Sequence, residues 1–452
     1  MANDGSTSPS SAQPLARQAA LAVVTHLRSQ GHEAYLAGGC VRDELLGLDP
    51  GDYDVATDAN PDRLASLFHG ARLVGAKFGV VQVRKHGVWT EVATFRTDGS
   101  YSDRRRPDEV IFSDAQSDAE RRDFTINALF LDPLADESVW SKRRDGSRVA
   151  GRVIDLVGGL NDLRAGVVRA VGDAHQRLAE DQLRALRAVR FAARLGFEIE
   201  PTTAHAIAEH AGELEGVSRE RIGGEVRRMM QHETRSRAAS LIEMLTLDGP
   251  MLQEPARGAG HAHDRVAALP AEFDDDEGEM AAVALAAWAL DRGHARDEAG
   301  TIATASRLRS ALCLSNSEHA IIAAVLRRRI DALDRFLSLG KAGQKRLAAA
   351  RGFAHAMALL RVEHPAQARA MESRVAELAG EPGGLAPAPW VTGTDLIDLG
   401  LMPGPDFARV LERAYDLQLD GTVSDRASLL EHLAAQGVNT DVKGHAADGG
   451  GP

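Results

Sequence analysis

Cysteine is almost missing: Cys40 and Cys313 are the only two in 452 residues. Two thiols cannot build a disulfide framework or a zinc cage, so a reducing compartment is expected. Aromatic residues reach only 4%, which leaves the core to Leu, Ala and Val and excludes a binding surface made mainly of stacked rings. Positive charge is short as well. Lys+Arg number 53 against 65 Asp+Glu, a net −12, so the protein does not work through a blanket of positive charge. Its longest apolar run, 280–290, is too short for the roughly 20 residues that span a bilayer. The segment 1–14 is rich in Ser, Thr, Pro and Ala and has neither the basic start nor the apolar run of a secretory signal. A soluble, cytoplasmic protein with no membrane partner is expected.

What is present is ordinary globular material, 44% hydrophobic and 26% charged, enough for two to four domains at roughly 100–200 residues each. From Ala16 to about Arg169 the texture is mixed. One amphipathic helix (Leu21, Val24, Leu27) precedes short β-branched runs at 35–37, 79–83, 89–95 and 109–112, bounded by Gly, Pro, Asp or Asn. His86-Gly87 between two alternating runs predicts a hairpin. Beyond Val171 the strand signals stop and Ala, Leu, Glu and Arg recur in helical period to about Leu433. Soft boundaries lie at Gly249-Pro250 through Gly260, followed by an acidic run at 274–277, and at Gly380–Pro389. The acidic run reads as solvated surface.

The sharpest local signal is Gly38-Gly39-Cys40-Val41-Arg42-Asp43, a strand running into two glycines and a helix start. Backbone N–H groups there can approach a phosphate because no Cβ intervenes, and Arg42 adds charge. A bare Gly-Gly turn is the alternative. Asp52-Tyr53-Asp54 follows, and alternation along a strand brings Asp52 and Asp54 to one face. Two such carboxylates repel each other; Mg²⁺, which is commonly held by one or two carboxylates plus substrate phosphates, relieves that. A phosphate cradle followed by paired carboxylates points to nucleotidyl transfer, and two solvated acids on a turn are the bland reading. Glu91, on a predicted strand, is either a third catalytic carboxylate or the partner of Arg96 in an ion pair. In Arg121-Arg122-Asp123-Phe124-Thr125-Ile126-Asn127-Ala128 the arginines can neutralise a triphosphate and Asp123 can accept from a ribose hydroxyl, or the segment is a charged helix start.

In this order the motifs resemble the class II tRNA nucleotidyltransferase and bacterial poly(A) polymerase family. The resemblance continues through Asp155-Leu156-Val157-Gly158-Gly159, Glu180-Asp181-Gln182-Leu183-Arg184 onward to Phe191, and Ser218-Arg219-Glu220-Arg221-Ile222-Gly223-Gly224-Glu225. It implies an α+β fold: a polymerase-β-like nucleotidyltransferase head with a small mixed sheet, followed by an all-α neck, body and tail. The expected boundaries are a disordered tail at 1–15, head 16–169, neck 170–248, body 249–380, tail 381–440 and a disordered end at 441–452.

The resemblance also assigns roles. Asp52, Asp54 and Glu91 would be catalytic, with Mg²⁺ on Asp52 and Asp54. Gly38, Gly39, Arg42, Arg122, Asp123 and Asn127 would seat the nucleotide. Asp181 and Arg184 would select the base, the spacing i,i+3 placing them on one helix face; a helix-surface salt bridge is the alternative. Arg187 and Arg190 lie beside an apolar stripe and suit phosphates. The partners implied are a tRNA 3′ end, CTP and ATP, with protein partners open. The stretch 98–107 resembles the family's flexible loop for switching from C to A addition. Ala76, where the poly(A) enzymes commonly carry a basic residue, favours tRNA and hence CCA addition over poly(A) tailing, with an A-only tRNA enzyme kept as an alternative; a non-catalytic RNA-binding scaffold is the alternative of another class. His263-Asp264 lacks the second His-Asp pair of a metal-binding phosphohydrolase domain, which predicts a helical scaffold there. Basic clusters at 104–106, 142–144, 227–228 and 327–329 are candidate phosphate contacts.

Overall fold

The computed structural model describes residues 14–75, 79–98, 110–271, 277–399 and 404–435. Apart from Pro14 and Leu15, both expected tails lie outside these residues, as do Ala76, the acidic positions 274–276 and nearly all of the expected flexible loop with its arginines 104–106. The chain divides into two compact units, one of Met1–Met229 with Arg237–His261, the other of Met230–Ser236 with Ala262–Pro452.

The first unit opens with helix α1 (Leu15–Ser29), whose apolar face buries Ala19, Ala20, Val23, Val24 and Leu27. The chain then runs through β1 (Ala34–Ala37), α2 (Gly39–Leu46), β2 (Asp54–Thr57), α3 (Pro61–Leu67), β3 (Arg72–Gly75), β4 (Val80–Lys85) and β5 (Val88–Thr94). After them come β6 (Arg96–Asp98), β7 (Val110–Phe112), α4 (Ala115–Glu120), β8 (Phe130–Asp132), β9 (Arg152–Ile154), α5 (Gly159–Ala165) and β10 (Val167–Val168). Seven strands form one sheet in the order β3-β4-β5-β2-β1-β8-β9. It is mixed, because β2 pairs with β5 in parallel while β1 pairs antiparallel with both β2 and β8. The expected hairpin is present: Lys85 opposes Val88 across His86-Gly87. Phe95 and Phe130 meet edge to face at 5.9 Å in a core that also holds small residues such as Ala37, Ala56, Ala119 and Ala128.

The helical part of this unit comprises α6 (Ala174–Glu180), α7 (Leu183–Leu195), β11 (Glu198–Ile199), α8 (Pro201–Glu209), α9 (Arg219–Gln231), α10 (Arg235–Met244) and α11 (Asp248–Leu252). One expectation needs correcting, since β11 pairs in parallel with β10 beyond Val171. Two residues are too few for a periodic signal. Gly159 marks a close approach: a Cβ there would stand 2.1 Å from the Thr125 carbonyl oxygen, so the start of α5 sits directly on the loop that carries the second arginine motif. Asp155 holds that start, its carboxylate accepting from the amides of Gly158, Gly159 and Leu160, each at 2.9 Å.

From Asp264–Ala268 to Arg426–Ala435 the elements among the second unit's described residues are all helices. One core cluster gathers Phe336, Phe353, Met357, Leu360 and Met371, another Leu396, Ala414, Leu429 and Leu433. Arg235 is 1% exposed and donates to the carbonyls of Met230, Leu269, Pro270 and Ala271. Asp291 accepts from the Val266 amide at 3.2 Å and from Arg265 Nη1 at 3.0 Å; it caps a helix. Glu363 takes Arg265 and, at 2.6 Å, Arg329, which ties that member of a candidate phosphate cluster inside the fold. No helix among the described residues is long and apolar enough to cross a membrane.

Candidate active site

Gly38 stands between β1 and α2 with φ +76° and ψ −130°, a backbone conformation that L side chains rarely adopt. Its amide donates to the Leu129 carbonyl at 3.0 Å, and a Cβ on it would come within 2.9 Å of Arg122 Nη1. The glycine is what allows the guanidinium of the second motif to lie over the turn of the first. Asp54 begins β2 opposite Ala37 of β1. Asp52 lies just ahead of the strand, yet the alternation holds. Tyr53 between the two acids is buried the other way, and its hydroxyl donates to Glu44 Oε1 at 2.8 Å, which also accepts from Arg17 Nε at 2.6 Å.

The parallel pairing of β2 with β5 sets Val55 beside Val92, so Glu91 comes alongside the Asp54 end of β2. Burial first, then the charges of Asp52 and Glu91, push the Asp54 carboxyl up to about 7, with Arg122 opposing them. Glu91 accepts from Gln82 Nε2 at 3.3 Å across the β4–β5 hairpin. Among the described residues no three His, Cys, Asp or Glu side chains gather closely enough to cage an ion by themselves. A site of two carboxylates that substrate phosphates complete fits this geometry, and the crowding around Asp54 fits a cation.

The arginines are held rather than free. Asp118, 1% exposed, accepts from Arg121 Nη2 at 2.6 Å and from Arg122 Nη2 at 3.0 Å; against its burial, the two guanidiniums hold its carboxyl below the usual range. Arg122 also donates to the Asn127 carbonyl at 3.0 Å. Arg42 is buried, donating to Asp43 and, through Nη1, to Asn127 Oδ1 at 2.6 Å. Asn127 Nδ2 in turn donates to Asp123 Oδ1 at 3.0 Å. Burial works against the charge on Asp123, but Arg187, with donors at 2.8 and 2.5 Å, and Asn127 hold its carboxyl at about 2. The ring of Phe191 underlies three guanidiniums, those of Arg42 at 5.0 Å, Arg187 at 5.5 Å and Arg190 at 4.3 Å. Arg190 also donates to Glu225 at 2.6 Å. Any phosphate that Arg187 or Arg190 holds therefore competes with a carboxylate already in place.

The shared helix face expected for Asp181 and Arg184 is not found. Asp181, at φ −152°, lies outside both α6 and α7, because its own carboxylate accepts from the Leu183 amide at 3.1 Å and so begins a new helix. Its Oδ2 accepts from Arg221 of α9 at 2.6 Å. Arg184 is 9% exposed and donates to Glu180 and to the Arg177 carbonyl, each at 2.6 Å. Arg221, Glu225 and Phe191 stand within the sequence motifs, which carry no sign of their partners, and Asp118 lies outside those motifs. An acid three and four residues ahead of two arginines was the available signal for Asp118.

Residues 34–169 match a family described as the Poly A polymerase head domain, and residues 196–247 one described as a probable RNA- and SrmB-binding site of polymerase A. The CCA-adding enzyme of Leuconostoc mesenteroides is 40% identical over 237 residues, 51% of this chain and 55% of its own. That of Lacticaseibacillus paracasei is 43% identical over 214 residues, 47% of this chain and 50% of its own. The match thus spans about half the length of these curated relatives. A crystal structure of the Bacillus stearothermophilus CCA-adding enzyme in complex with CTP is 27% identical with a TM-score of 0.71, covering 94% of this chain and 99% of that one. The Thermotoga maritima CCA-adding enzyme complexed with tRNA, 20% identical at a TM-score of 0.62, shares the fold.

Proposed function

We propose that this chain belongs to the class II tRNA nucleotidyltransferase and bacterial poly(A) polymerase family, as its similarities support, and that it adds C and A residues to tRNA 3′ ends. It would do so from CTP and ATP, without a nucleic-acid template and with release of pyrophosphate. The observation that carries this reading is Asp54, raised to about 7 by burial and by Asp52 and Glu91 beside the Gly38 turn and Arg122. That is the electrostatic state expected of carboxylates built to share a cation with a triphosphate. Mg²⁺ on Asp52 and Asp54 supplies charge neutralisation at the attacking hydroxyl and the leaving pyrophosphate when bound. Glu91 lends further negative charge from the neighbouring strand.

The backbone around Gly38 and Gly39 cradles the triphosphate, and Arg122, oriented by Asp118, faces it. Arg42 acts through Asn127, and Asn127 through Asp123, so that the ribose-facing segment is held by a continuous hydrogen-bonded chain. Asp181 selects the base from the junction between α6 and α7 and Arg184 from the first turn of α7, rather than the two from one helical face.

The test is an incorporation assay with Mg²⁺ on tRNAs ending before the first C, after CC and after CCA, and on an unrelated oligo(A). CCA addition fills the first two and stops; an A-only enzyme extends just the second; a poly(A) polymerase extends the oligo(A); a non-catalytic scaffold extends none. Asp54→Ala should abolish incorporation while tRNA still binds, and retained turnover would overturn the metal assignment.

A further inference from the structure

Only Asp181 and Gln182 separate α6 from α7, and their side chains have different anchors. Asp181 reaches Arg221 of α9. Gln182, 2% exposed, donates from Nε2 to Glu213 Oε2 at 2.9 Å, within the 3-10 segment Ala211–Gly216. A buried amide needs such a partner. Glu213 Oε1 in turn meets His210 Nδ1 at 2.6 Å. A carboxylate only accepts, so Nδ1 of His210 donates to it, and His210 Nε2 lies 3.1 Å from His175 Nδ1. His175 lies in the first turn of α6. Four side chains therefore run from the start of α6 around to the junction at its end, and none of them takes part in the chemistry assigned above.

We infer that Gln182, held by Glu213 and through it by His210 and His175, is a positioning residue for base choice. This rests on the reading of Asp181 as a base-selecting group. The backbone at Asp181 is non-helical, and two kinds of anchor set the direction of its carboxylate: the Leu183 amide and Arg221 hold the carboxylate itself, and the buried Gln182 amide fixes the rotation of the backbone that carries it. Losing the second anchor turns Asp181 relative to the bound base, while the Asp52/Asp54 centre on the sheet is untouched.

The experiment compares the parent protein with Gln182→Glu and with the double variant Gln182→Glu/Glu213→Gln. The single change sets a carboxylate against Glu213 in a buried place. The double change restores both bonds with the roles exchanged, because the new amide donates to one neighbour and its oxygen still accepts from His210. Discrimination is read as the ratio of kcat/KM for CTP and ATP on tRNA ending after CC, with thermal denaturation alongside. Gln182→Glu should lower discrimination about tenfold, a loss in the range expected of sub-ångström misplacement, with kcat for ATP held within about twofold. The double variant should recover it. Unchanged discrimination in the single variant, or no recovery in a folded double variant, overturns the inference. Should the single variant be unfolded, the double variant carries the test alone and must fold and discriminate as the parent does. Asp181→Ala separates the two levels: if it leaves base choice intact, the base-selecting role of Asp181 fails; if it blurs choice and Gln182→Glu does not, only the positioning role falls.

Discussion

In its proposed role Asp54 is under opposing demands, since it would be charged to hold a cation and yet sits half-buried beside Asp52 and Glu91. Its carboxyl is raised to about 7 from 3.8. Between those two values the folded protein binds more protons than the unfolded chain, so this group lowers stability as pH rises through that window, with the full cost present above it. Asp54→Asn should therefore raise the melting midpoint at about pH 8 without divalent ions, on the order of 2 kcal/mol after allowing for partial exposure. The gain should vanish below about pH 4. Thermal scans across pH, with and without Mg²⁺, check this, and added Mg²⁺ should stabilise the parent and not the variant. The Asp-x-Asp spacing was legible in the sequence because alternation over two residues is local. The approach of Glu91 was legible as a strand residue only. Its place beside Asp54 depends on which strands pair, and that is decided by the sheet as a whole.

At the level of elements, the sequence showed helices and strands more clearly than their interruptions. Apolar period runs unbroken through 174–195, with no Pro or Gly to mark a stop, yet the helix breaks at Asp181 and Gln182. An Asp side chain that satisfies the next helix's amide competes with continuing the first helix, and periodicity does not register that competition. Nor does periodicity show what α7 is fastened to. Arg187 bonds to Asp123, 64 positions away in sequence, and Arg190 bonds to Glu225, 35 positions away. Arg187→Met keeps much of the side chain's bulk and removes its charge, leaving Asp123 in a half-buried place without its main counter-ion. Breaking such a pair should cost about 2–4 kcal/mol, read as a shift in urea midpoint with unchanged m-value. A cycle with Asp123→Asn should show strong coupling.

On the scale of the whole molecule, the order of mixed sheet followed by helices was legible from texture alone, and the Gly/Pro-rich stretch 249–260 ends beside one of the unit boundaries at His261. How the later helices pack was not, because Ala/Leu period is satisfied by many arrangements. A net −12 limits indiscriminate attraction to polyanions, so the tRNA contact proposed above would rest on local cationic positions such as Arg228, whose side chain is 64% exposed. Binding should weaken as salt is raised from about 50 to about 200 mM, with a log–log slope near −0.9 for each duplex phosphate neutralised. A filter-binding titration checks it, and a flat response would exclude phosphate contacts as the source of affinity. The interleaved connectivity has a practical corollary for dissection. Cutting after His261 leaves the distal fragment without Met230–Ser236, and so without the guanidinium that gathers the carbonyls of Leu269, Pro270 and Ala271. The distal product of such a nick is thus not a self-contained half, and a fragment of it meant for separate study has to be spliced to that segment rather than simply truncated.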